Sequence, residues 1–123
     1  MTTTVNFETS KLLKEKEFNI PTLYFYLDGS LKYNHSIKPR NSNVLPGTMD
    51  VSAPTITDAV MWLYEKHGIW IISSYELNIE NHKKEWFWIA IKDGEEIAYQ
   101  YRDFNSPTEA YEAAIEFTLE NLI

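Results

Sequence analysis

The clearest pattern of apolar and polar positions lies in the second half of the chain. Ile56, Ala59, Val60, Leu63 and His67 fall on one arc at helical spacing, with Trp62 and Tyr64 at its edges. That period predicts an amphipathic helix. Thr55 with Asp58 three positions on reads as a capping-box-like start, and Gly68 as the stop, since glycine accepts the left-handed conformation at a helix end. The period then changes to two. "IWIISSYELNI" alternates Ile69, Ile71, Ser73, Tyr75 and Leu77 against Trp70, Ile72, Ser74 and Glu76. "WFWIAIK" and "EIAYQYR" follow, set off by the polar turn "ENHKKE" and by Asp93-Gly94. Connections this short demand antiparallel neighbours, hence a meander of three strands. "SPTEAYEAAIEFTLENLI" predicts a last helix, with Ser106 as N-cap, Pro107 at the first helical position and Glu109 at the third.

The first half is less regular. "ETSKLLKEKEF" predicts a short helix capped by Thr9 or Ser10, with a thin apolar face. "PTLYFYLDGSLKYNHSI" reads as a hairpin: Leu23–Leu27, an Asp28-Gly29 turn, and a return through Leu31, Tyr33 and Ser36, with His35 at its end. "KPRNSNVLPGTMDVSAP" reads as a loop or linker. The expected fold is α+β: a three-stranded antiparallel sheet flanked by two helices, in the order α-β-β-β-α, over residues 51–123. Residues 1–50 form an N-terminal extension of short helix, hairpin and Pro-rich loop packed on that unit. Two helices on one face of an antiparallel sheet bury both amphipathic stripes in two layers.

Charge sharpens this picture. The 123 residues carry a net charge of −7, unevenly spread. Residues 1–51 hold six Lys/Arg against five Asp/Glu, and residues 52–123 hold five against thirteen. The second part repels a phosphate backbone, because nucleic-acid affinity rests on cations that displace counterions. Four Trp, eight Tyr and six Phe call for an aromatic core or a sticky surface. No stretch nears the ~18 apolar residues that a membrane span needs. The opening "MTTTVNFETSKLLKEKEF" lacks the apolar core of a signal peptide, so a cytoplasmic location is expected.

The order α-β-β-β-α resembles the double-stranded-RNA-binding domain, and the likeness extends over "NHKKEWFWIAIKDGEEIAYQYRDFNSPTEAYEAAIEFTLENL". His82, Trp86, Ala110, Ala113, Ala114 and Leu119 stand where that family's pattern wants them. The resemblance implies a topology, and it would turn Trp86, Trp88 and Ala90 toward the helices. It also implies a Lys-Lys pair at the start of the last helix to hold phosphates. This chain has Pro107 and Thr108 there, followed by Glu109 and Glu112, and Glu80-Asn81 where a Gly-Pro is expected. Only His82, Lys83 and Lys84 keep the polarity of a phosphate-facing loop. A second resemblance, carried by "PTITDAVMWLYEKHGIWI" and "SPTEAYEAAIEFTLENLI", is to small proteins of bacterial phages and prophages. It implies a mobile-element origin and no assigned activity.

Chemistry is sparsely supplied. Cysteine is absent, as are a Gly-x-Ser-x-Gly elbow and a glycine-rich phosphate loop. The three histidines fall on separate elements, so no metal site is expected. Glu95-Glu96 lies in a turn where water keeps carboxylates ordinary. Neither an enzyme nor a cofactor is expected. What remains is surface. The second strand is apolar on both sides, Phe87, Ile89 and Ile91 on one and Trp86, Trp88 and Ala90 on the other. The helices cover one side only. The greasier Phe87 set is one choice for the inside, and the resemblance favours the other. The open side requires a cover: the Leu23–Tyr33 hairpin, a second copy, or a protein partner anchored on Trp70, Trp86 and Trp88. Glu109, Glu112, Glu116 and Glu120 form an acidic stripe that a basic partner, or the Lys11–Lys16 segment, would relieve. The expected function is binding to another protein. Weak nucleic-acid contact through His82, Lys83 and Lys84 is the alternative.

Overall fold

Asn6, not Thr9 or Ser10, starts the first helix. The computed structural model describes residues 3–34, 41–44 and 50–123, the side chains of Val44 and Arg102 apart. The hairpin's expected return through Ser36 and His35, and parts of the Pro-rich loop, lie outside the described residues. Helix α1 spans Phe7–Glu15, and the Asn6 Oδ1 accepts the Thr9 N–H at 2.8 Å. Thr9 and Ser10 are buried inside it. An asparagine three residues before an open N–H is as good a cap as serine, which is why the local signal was ambiguous.

The chain divides into two compact units, residues 1–59 and 60–123. In the first, β1 (Tyr24–Leu27) and β2 (Ser30–Tyr33) pair around the Asp28-Gly29 turn. Asp28 and Gly29 both take positive φ, 50° and 80°, as a primed turn requires. The hairpin is not an appendage. A third strand, β3 (Val51–Ala53), pairs with β1 in the register Tyr24↔Ala53 and Tyr26↔Val51. The segment read as linker therefore contributes a strand and, at Ser42–Val44, a 3-10 turn. Asn43 explains why a three-residue strand survives. Its Oδ1 accepts the Ser52 N–H at 2.8 Å, and its amide donates to the Phe18 carbonyl at 2.8 Å. The chain start is tied in the same way. Val5 N–H donates to the Pro54 carbonyl at 2.9 Å, and the Ile56 N–H to that of Thr3 at 2.8 Å. The buried Tyr26 hydroxyl donates to the Val5 carbonyl at 2.8 Å.

Helix α2 (Ile56–His67) runs across the division between the units. The Thr55 hydroxyl accepts the Asp58 N–H at 3.1 Å, and Gly68 ends the helix at φ 69°. In the second unit β4 (Ile69–Leu77), β5 (Lys84–Lys92) and β6 (Glu95–Phe104) form an antiparallel sheet in the order β4-β5-β6. Helix α3 (Pro107–Asn121) packs against all three strands. Ser106 Oγ accepts the Glu109 N–H at 3.1 Å, and the Glu109 carboxylate accepts the N–H of Asn105 at 2.9 Å. The architecture is thus α+β, with two three-stranded antiparallel sheets in place of one sheet and an extension. Among the described residues, no helix is long and apolar enough to cross a membrane.

Helix α3 selects its side of β5 by shape. Trp88 and Ala90 are 1% and 0% exposed, with Ile69 and Ile71 equally buried. The greasier Phe87-Ile89-Ile91 set faces out. Ala90 pairs with Ala98 across the sheet, and α3 presents Ala110 and Ala114, both fully buried. Small residues on both surfaces let the helix approach closely, and Trp88 fills the remaining space against Phe117, ring centroids 5.4 Å apart. A bulky branched or aromatic residue in place of Ala90 would hold α3 off the sheet.

Candidate functional site

The outward side of the β4–β6 sheet follows from that choice. Strand alternation places Trp70 and Ile72 on β4, Phe87, Ile89 and Ile91 on β5, and Ile97, Tyr99 and Tyr101 on β6 on this side. Trp70, Tyr99 and Tyr101 are 38%, 60% and 43% exposed. Cross-strand pairing makes them one surface: Trp70 lies opposite Ile91, Ile72 opposite Ile89, and Ile89 opposite Tyr99. Phe87 and Tyr101 meet at 5.0 Å, and Tyr101 touches Tyr99 at 4.9 Å. The Leu23–Tyr33 hairpin does not extend this sheet, being paired with β3 instead.

The rim is acidic. Glu76 and Glu85 are cross-strand partners on the same side, and Glu96 sits opposite Ile91. The Tyr101 hydroxyl donates to Glu96 Oε1 at 3.4 Å. Partial burial against its neighbours, then the charge of Glu96, push the Tyr101 phenol above its ordinary pKa of 10.0. Tyr99 and Glu76 add to the shift. At one end, beyond the C-terminus of α2, a groove of about 520 Å³ opens between Tyr64, Trp70 and Ile91 and the Asp93-Gly94 turn.

The residues singled out from sequence are dispersed by the fold. Trp70 is on the open surface. Trp88 is not: it is core, its Nε1 donating to Gln100 Oε1 at 3.4 Å, and no partner can reach it. Trp86 shares its parity, half-buried, with its ring 5.0 Å from Tyr75. The correction at Trp88 comes from the parity that the alanines impose. On α3, Glu109 is engaged in the N-terminal cap, Glu112 and Glu116 are half-buried, and Glu120 is exposed. Lys11 and Lys14 are engaged within their own unit, by Glu8 at 3.1 Å and by the Asp50 carbonyl at 3.0 Å.

His82, Lys83 and Lys84 do fall together, in the β4–β5 turn. Asn78 organises it, its Oδ1 accepting the Glu80 N–H at 2.9 Å while its N–H donates to the Lys83 carbonyl at 2.9 Å. Their surroundings are not those of a phosphate site. Lys84 Nζ sits over the Tyr75 ring at 4.7 Å, and Glu76, Glu80 and Glu85 line a hollow beside the turn. His67 packs edge-on against Trp62 at 5.1 Å. Among the described residues, no three His, Asp or Glu side chains converge as metal ligands.

Sequence reasoning missed Tyr64, Ile72, Tyr99 and Tyr101 as surface residues. The signal was present in the small residues: Ala90, Ala98, Ala110 and Ala114 together mark the side where helix meets sheet. Comparison with known proteins finds no match to a family model, to a curated protein or to a solved structure.

Proposed function

We propose that this chain acts by binding another protein, in the cytoplasm, through the outward side of an α-β-β-β-α unit formed by α2, the β4–β6 meander and α3. One observation carries the reading. A continuous aromatic and branched surface running from Trp70 to Tyr101 stays substantially exposed, while the same sheet's other side is sealed by Trp88, Ala90 and α3. Contiguous apolar surfaces of this kind mark interaction sites, and Trp and Tyr are the usual anchors. The broad, open form of the surface favours a macromolecule over a small substrate.

The test is affinity capture from the cells that express the protein, run in parallel with a Tyr99→Glu variant. Tyr99 is the most exposed ring of the surface, so the added carboxylate leaves the fold intact, as circular dichroism will verify. The expected result is a partner retained by the native chain and lost by the variant. Identical captures from both would remove the surface from consideration. Sedimentation of the purified chain identifies the case in which that partner is a second copy.

A further inference from the structure

The groove at the end of α2 has a character that the rest of the surface lacks. Tyr64 and Trp70 form its wall, ring centroids 5.3 Å apart and planes at 76°, a corner with both rings reachable from solvent. Glu65 and Asp93 line it, and no Lys or Arg does so among the described residues. It also lies at the C-terminal end of α2, the negative pole of the helix. Ring faces, carboxylates and helix end all attract positive charge. A bare metal ion wants several converging oxygens, and no such set exists among the described residues. An organic cation fits. A quaternary ammonium would use the rings but offers no hydrogen to the carboxylates. A guanidinium does both: it stacks flat on an aromatic ring, is weakly hydrated, and donates in pairs to a carboxylate.

We propose that this groove receives an arginine side chain of the partner polypeptide, whose backbone lies across the adjoining Trp70–Tyr99 surface. The inference rests on the binding reading above and names the partner's chemistry. Charge excludes the simplest rival. Glu76, Glu85 and Glu96 rim the outward side, and Glu65 and Asp93 line its groove, so two copies meeting surface to surface would oppose acid to acid.

The experiment uses the full-length, isotope-labelled chain and blocked pentapeptides alternating leucine with arginine, lysine or serine, with choline as a further probe. The arginine peptide is expected to shift the Trp70 indole and the amides of Tyr64, Ile91 and Gly94, and the lysine peptide to bind more weakly. A double variant, Glu65→Gln with Asp93→Asn, is expected to lower the arginine affinity about tenfold at low salt, the loss of roughly one charge-assisted bond. Both sites are exposed, and asparagine tolerates the positive φ of Asp93, so the fold is preserved. No shift at millimolar arginine peptide, equal affinity in the double variant, or tighter binding of choline would each overturn the assignment. Tyr99 does not line the groove. If the arginine peptide fails while Tyr99→Glu still abolishes capture, the groove assignment falls and the binding reading stands. If the peptide binds as described while capture is indifferent to Tyr99→Glu, the binding reading falls instead.

Discussion

Tyr101 carries its hydroxyl beside Glu96, and its ionisation is correspondingly delayed. In the unfolded chain the phenol loses its proton near 10; in the folded chain it does so at higher pH. Its contribution to stability is thus complete below pH 10 and is lost as pH rises through the folded value. Glu96→Gln is expected to bring the Tyr101 titration down toward that of the free side chain, as followed by the ring resonances; an unmoved titration would acquit Glu96. At this scale the sequence was most readable where one residue and its near neighbours settle the outcome. Ser106, Gly68 and the two Asp-Gly turns act through their own backbone, and each stands where the pattern placed it. Asn6 was missed because Asn6, Thr9 and Ser10 are all competent caps, and the choice depends on Thr9 and Ser10 being wanted inside.

Strand β5 shows why a single element can be undecidable on its own. Both of its sides are apolar, so alternation alone cannot orient it, and the greater hydrophobicity of Phe87-Ile89-Ile91 points the wrong way. Orientation is set by fit to α3, which is information held in another part of the chain. Ala90→Leu is therefore expected to cost about 1–3 kcal/mol through overpacking, measured by urea denaturation, whereas Ile72→Thr, on the open side, should stay within about 0.5 kcal/mol. Strand β3 was unreadable for a related reason: Val51–Ala53 has no period of its own, and its pairing depends on Asn43 and on β1. On α3 the acidic stripe has a local consequence. Glu120 stands in the last turn with no basic residue in that turn. Glu120→Lys should raise stability by roughly 0.3–1 kcal/mol by complementing the helix end, read as a higher midpoint of thermal unfolding.

For the molecule as a whole, the asymmetry of charge decides the company it keeps. Residues 1–59 hold six Lys/Arg and six Asp/Glu, so the entire net charge of −7 resides in residues 60–123. Association with a basic polypeptide should accordingly weaken several-fold as salt rises from about 0.05 to 0.5 M, over which screening shortens from well above 10 Å to a few ångströms. Measured affinity that ignores salt would mean that the rings alone supply the contact. Duplex nucleic acid, by the same field, should not be retained at physiological ionic strength. Composition announced this much, since charge sums need no fold. It could not announce that the rings and the carboxylates share one side.

Among the described residues, the sheet order leaves β4 paired with β5 alone, over a run of nine residues. Proline and lysine, the usual guards of such a margin, are absent from it, and its single charge is Glu76 near the far end. A margin of that length is a template on which a loose extended chain can crystallise its own backbone, one rung at a time. Concentrated stocks should therefore ripen toward thioflavin-positive fibrils from this strand before any other, and Ser74→Lys should halt the ripening.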